Sequence, residues 1–171
     1  MSRLRASGPR GVKLKGGMKR KLIIILVLLT GLYVALEFSP YRLKMTISES
    51  VGHSLFVIKK GELRSFERGQ YVTVKAPADP SSGDEYVKLV AGVPGDTVEV
   101  IGRDIYVAGI YRGRAKEVSL TGRDLEVIEG GVIPEGYIYI FAPHVDSYDS
   151  RYSEIGFVRF NLVTGAAKAI V

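Results

Sequence analysis

Between Tyr86 and Val100 the chain reads YVKLVAGVPGDTVEV, one lysine among strand-forming valines, followed by a Val-Pro-Gly-Asp break. An amine on the buried face of a strand is costly while charged, and the desolvation that makes it costly draws its pKa toward neutrality. Tyr86, Val87, Leu89 and Val90 can supply that desolvation. A neutral amine within hydrogen-bond reach of a serine takes its proton without a histidine, so Lys88 is a candidate general base. Taken by itself the segment also fits an ordinary solvent-facing strand lysine. Candidate nucleophiles stand upstream in ISESVGHSLFVIKKG, which offers Ser48, Ser50 and Ser54 beside His53. A Ser-His-Asp triad through His53 or His144 is the rival arrangement. It is disfavoured because neighbours on an extended chain, such as His53 and Ser54, point to opposite faces. His144, between Pro143 and Val145, reads as a loop residue. Downstream, HVDSYDSRYSEIGFV packs Ser147, Asp149, Ser150 and Arg151 into five residues. Asp149 and Arg151, two apart on an extended chain, share a face and can pair, while a serine at 147 could hold an amine in place.

With no cysteine and two histidines in 171 residues, thiolate catalysis, disulfides and zinc-thiolate sites are excluded and a histidine-built metal site is disfavoured. No metal and no cofactor is expected. The net charge of +6 is concentrated at the start: residues 1–21 hold eight cations and no acid, which leaves −2 on the remainder. A nucleic-acid-binding module is therefore not expected.

The elements that would have to position these groups are strands. Alternating Val, Ile and Tyr between Gly, Pro, Asp and Ser clusters predicts strands at 43–48, 55–59, 71–76, 86–92, 97–101, 104–107, 137–141, 156–162 and 167–171. Residues 111–131 have charges and glycines without clear period and read as an excursion. The expected class is mostly β, a curled or barrel-like antiparallel domain over 39–171. Ahead of it lie a basic cytoplasmic tail, 1–21, and the apolar run 22–38, LIIILVLLTGLYVALEF. That run is read as an uncleaved transmembrane anchor, with a cleaved signal peptide as the alternative. Lys19-Arg20-Lys21 before it places the N-terminus in the cytoplasm and the β domain on the extracytoplasmic side.

Taken in order, the three polar segments behind an anchor resemble the type I signal peptidase family of serine-lysine endopeptidases. The middle motif reads Lys88-Leu89-Val90-Ala91-Gly92-Val93-Pro94-Gly95-Asp96, and the last Ser147-Tyr148-Asp149-Ser150-Arg151-Tyr152. Leu89 stands where the family usually places arginine, no proline follows the nucleophile segment, and Ala142-Pro143-His144 occupies the place of a Gly-Asp-Asn triplet. The short chain and Ser50-Val51-Gly52-His53-Ser54-Leu55-Phe56 are most similar to the TraF-type conjugative-transfer subgroup, which matures pilin precursors. The resemblance implies a signal-peptidase or LexA-like fold after one N-terminal transmembrane helix. It implies Ser50 as nucleophile, Lys88 as base, Ser147 as the hydroxyl orienting the amine, and Ser48 with the Ser50 N–H as oxyanion donors. Asp149 and Arg151 would form a structural ion pair, with Ser150 in support. A precursor protein or propilin and the lipid bilayer are the implied partners. A general signal peptidase for secreted preproteins and an inactive membrane-tethered binding module are the alternatives; a self-cleaving LexA-type regulator is disfavoured, since no DNA-binding helix pair precedes the domain.

Overall fold

The computed structural model describes residues 16–45 and 51–170. Ser48 and Ser50 therefore lie outside the described residues. The chain divides into two compact units, the first ending at Ser39 and the second spanning Pro40–Val171.

The first unit holds α1, Gly16–Glu37. The helix begins before the apolar run, so Lys19, Arg20 and Lys21 lie inside its opening turns and Glu37 closes it. Its charge-free stretch, from Leu22 to Leu36, is 15 residues, against the roughly 20 that a hydrocarbon layer takes. Among the described residues no helix is long and apolar enough to cross a membrane. The side chains of α1 are exposed along its length, Leu28 by 67%.

The described strands of the second unit all pair antiparallel. Its strands are β1 (Tyr41–Met45), β2 (Leu55–Lys60), β3 (Tyr71–Lys75), β4 (Glu85–Gly92), β5 (Thr97–Ile101), β6 (Asp104–Val107), β7 (Ile110–Arg114), β8 (Gly131–Val132), β9 (Tyr137–Phe141), β10 (Val158–Arg159) and β11 (Val163–Ala169). Seven form one sheet in the order β1-β2-β11-β3-β4-β9-β10, and four form a second in the order β7-β6-β5-β8. The unassigned excursion thus runs from within β7 to the first residue of β8, and the smaller sheet is built where the sequence offered only one hairpin. The expected strand at 156–162 pairs only at Val158–Arg159 and then turns into a 3-10 helix at Phe160–Leu162.

The larger sheet is curled. In a flat sheet β1 and β4, four places apart in this order, would stand roughly 19 Å from each other. Instead Arg42 and Lys44 of β1 both reach Glu85 at the head of β4: Arg42 Nη2 donates to Glu85 Oε2, and Lys44 Nζ donates to the Glu85 carbonyl at 2.6 Å. Strand alternation explains the rest of β1, whose Tyr41, Leu43 and Met45 point outward.

The central strands β4 and β9 are buried on both faces. One face gives Val90, Ile138 and Ile140 to a cluster with Val72, Val74, Val158 and Val163. The other gives Ala91, Tyr139 and Phe141 to a cluster with Val98, Ile105, Val107, Ile128 and Ile133 of the small sheet and its flanks. This two-sided burial places a lysine on β4 inside the molecule.

Candidate active site

Lys88 sits in the middle of β4, opposite Val72 of β3, and only 6% of it is exposed. Its Nζ donates to Ser147 Oγ at 2.6 Å and lies 5.9 Å from the centre of the Tyr86 ring. Burial draws the Lys88 pKa down from 10.5 to about 8; the Asp149 carboxylate opposes that shift and the Arg151 charge adds to it. The solvent-facing strand lysine is therefore excluded. The amine loses its proton within reach of neutrality and has a fixed hydroxyl partner.

Ser147 is itself buried, in the loop that follows β9. Arg151, only 2% exposed, clamps that loop from within. Its Nε and Nη2 donate to the two carboxylate oxygens of Asp149 at 2.9 and 3.0 Å, and Nη2 also donates to the carbonyls of His144 and Ser147, both at 3.0 Å. A buried charge persists only when paired and hydrogen-bonded, and this pair meets both conditions. Asp149 Oδ2 further accepts the Ala142 N–H at 3.0 Å. Ser150 continues the pairing of the chain with β9: its Oγ accepts the Ile140 N–H at 3.0 Å and its N–H donates to the Ile140 carbonyl at 3.1 Å. Asp149, Ser150 and Arg151 thus form one polar scaffold under Ser147.

The turn after β4 is fixed by similar means. Gly95 adopts φ +87°, a left-handed conformation that glycine takes at no steric cost. Asp96 accepts the Val93 N–H at 2.9 Å and is bridged by Arg68, whose hydrogen bond holds the Asp96 carboxyl below its ordinary range.

Ser48 and Ser50 lie outside the described residues, but the chain on their C-terminal side is placed. Val51 is 4% exposed and packs in one apolar cluster with Val87, the residue before Lys88, and with Ala142, whose N–H is held by Asp149. His53 packs edge-on against Tyr71 at 5.8 Å and against Phe56 at 6.1 Å. His144 Nδ1 accepts the Asp146 N–H at 3.2 Å, in the turn expected for it. Among the described residues no group of His, Asp and Glu side chains could hold a metal ion. The sequence reading missed Lys116, which pairs with Asp146 beside Ser147. The partners stand 30 positions apart in the chain, and no local pattern announces such a pair.

Residues 18–171 match the family model described as "Signal peptidase, peptidase S26". The chain belongs to this family. Among its relatives, Signal peptidase I of Bacillus licheniformis is 31% identical over 166 residues, 88% of this chain and 85% of that protein. Conjugal transfer protein TraF of Agrobacterium fabrum (strain C58 / ATCC 33970) is 30% identical over 146 residues, 74% of this chain and 80% of that protein. A crystal structure of a signal peptidase I from Enterococcus faecalis V583 aligns with 61% of this chain and 97% of its own, at 22% identity and a TM-score of 0.39. Membership makes the chain a peptidase of the signal peptidase I type.

Proposed function

We propose that the chain is a membrane-anchored serine endopeptidase that cuts exported precursors after small residues, with Ser50 as nucleophile and Lys88 as general base. The observation that carries this reading is the buried Lys88 amine, donating to Ser147 Oγ at 2.6 Å with its pKa drawn down to about 8. A structural lysine has no use for desolvation and a fixed hydroxyl partner, whereas a base needs both. The membership of Val51 and Val87 in one apolar cluster supports a close approach of the two segments.

In this mechanism neutral Lys88 takes the Ser50 hydroxyl proton as the oxygen attacks the scissile carbonyl. The resulting oxyanion is received by the Ser50 N–H and the Ser48 hydroxyl. Lys88 then gives its proton to the departing amine, leaving an acyl ester on Ser50. Water, deprotonated by the same amine, releases the new carboxylate and restores Ser50. The TraF relatives favour pilin maturation as the biological setting, and there an internal amine could replace the water and cyclise the product. The exposed apolar side chains of α1 suit lipid, with Lys19, Arg20 and Lys21 extending toward headgroups to offset the short apolar stretch. The N-terminus would be cytoplasmic and the β domain extracytoplasmic.

Ser50→Ala and Lys88→Ala should each lower precursor cleavage by at least about a hundredfold. Full activity in either variant would overturn the assignment. Mass spectrometry of a propilin after incubation separates a hydrolysed product from a cyclised one, which is lighter by one water. Cleavage of secreted preproteins without cleavage of propilin would favour the general signal peptidase reading.

A further inference from the structure

The turn that presents Ser147 is gripped from two sides. On the inside, Arg151 holds the carbonyls of His144 and Ser147. On the outside, Lys116 Nζ donates to Asp146 Oδ1 at 2.5 Å. Asp146 immediately precedes Ser147, inside a turn closed by the Ser147 N–H donating to the His144 carbonyl at 3.0 Å. Through Asp146 this turn is therefore tied to Lys116.

Lys116 is a fixed point from which to pull. Its N–H donates to the Tyr152 hydroxyl at 3.3 Å, and the preceding Ala115 is buried. The Arg103 guanidinium donates to the carbonyls of Ala115 at 2.9 Å and Leu125 at 2.7 Å, and also to that of Lys116. The Ala115 N–H in turn donates to the Arg103 carbonyl at 2.8 Å. The backbone of Lys116 is thus tied to the small sheet, while its side chain reaches the loop of the large one.

We infer that Lys116 is a positioning residue for the peptidase reaction, holding through Asp146 the turn that sets Ser147 Oγ against the Lys88 amine. The inference rests on Lys88 as the base. Asp146 responds as a paired carboxylate should: its hydrogen bond from Lys116 holds its pKa below the ordinary range. With side chains 32% and 27% exposed, the pair is worth a few-fold in rate rather than orders of magnitude.

The test uses the full chain in detergent and an internally quenched peptide with alanine before the scissile bond. Lys116→Met and Asp146→Asn should each lower kcat by roughly three- to fivefold with KM unchanged, and Lys116→Arg should restore most of the loss. In a Ser147→Ala background, Lys116→Met should cost less than about twofold, because its only route to the amine is gone. An unchanged kcat in Lys116→Met, a loss confined to KM, or the same loss with and without Ser147 would overturn the inference. Activity retained in Lys88→Ala would instead sink the base assignment beneath it, so the two failures read differently.

Discussion

Lys88, the proposed base, is also a burden on the fold. Its amine binds a proton less readily in the folded chain, with a pKa of about 8, than in the unfolded one at 10.5. Between those values the unfolded chain holds more protons, so stability rises with pH from about 8 to about 10.5 and sits on its lower plateau below 8. The penalty on that plateau is about 3 kcal/mol at 1.36 kcal/mol per pKa unit. Replacing Lys88 by Met removes it and strands the Ser147 hydroxyl, which costs about 1 kcal/mol. Lys88→Met should therefore abolish cleavage yet stabilise the protein by about 2 kcal/mol in urea unfolding at pH 7. The gain should vanish at about pH 10 and turn into a loss of about 1 kcal/mol above about pH 10.5, and a variant less stable than the parent at pH 7 would contradict the argument. In the active protein the acidic limb of kcat/KM should fall near pH 8, where the free amine forms. The surroundings of Lys88, its burial and its place beside Ser147 and the Asp149–Arg151 pair, were legible in the sequence because those three residues sit in one short motif and an apolar strand surrounds the lysine. Lys116 was not, because only the packing of the two sheets brings it to Asp146.

At the scale of elements, legibility followed local pattern. The strands at Thr97–Ile101, Asp104–Val107 and Tyr137–Phe141 have the expected bounds, each an alternating run closed by a turn. Strand β7 escaped because Ile110–Arg114 carries Gly113 and two arginines with no clean alternation, and β8 is only two residues long. The last strand begins at Val163, four residues before the expected start, and runs through Gly165 and Ala166, which are poor strand formers. Its position explains the exception. Strand β11 lies between β2 and β3, and a Cβ on Gly165 would stand 2.5 Å from the Lys59 carbonyl oxygen and 2.9 Å from Ile58 Cγ2. Only glycine lets the backbone come this close, and the neighbour is main chain, which cannot swing away. Gly165→Ala should cost about 1–3 kcal/mol in urea unfolding, as overpacking does. A loss of less than about 0.5 kcal/mol would show that β2 and β11 can part without penalty.

At the scale of the whole molecule, the two units have different physical needs. The unit from Pro40 to Val171 holds the described apolar clusters and both sheets, including Lys88 and the scaffold beneath Ser147. The helix unit has a row of exposed leucines and isoleucines and the cationic Lys19-Arg20-Lys21 cluster. If the helix serves to hold enzyme and substrate on one surface, removing it should leave the chemical step intact and take away only the local concentration. A chain starting at Pro40 should fold with an unchanged urea midpoint, because the clusters that stabilise the β unit are all retained. It should cleave a soluble leader peptide with a kcat/KM within about threefold of the full chain. Against a precursor embedded in vesicles, it should fall behind by at least about tenfold, since effective concentrations reach millimolar for tethered pairs and are absent for free ones. Equal loss on both substrates would mean that the helix unit shapes the catalytic unit itself, whereas equal retention would mean that it does not recruit.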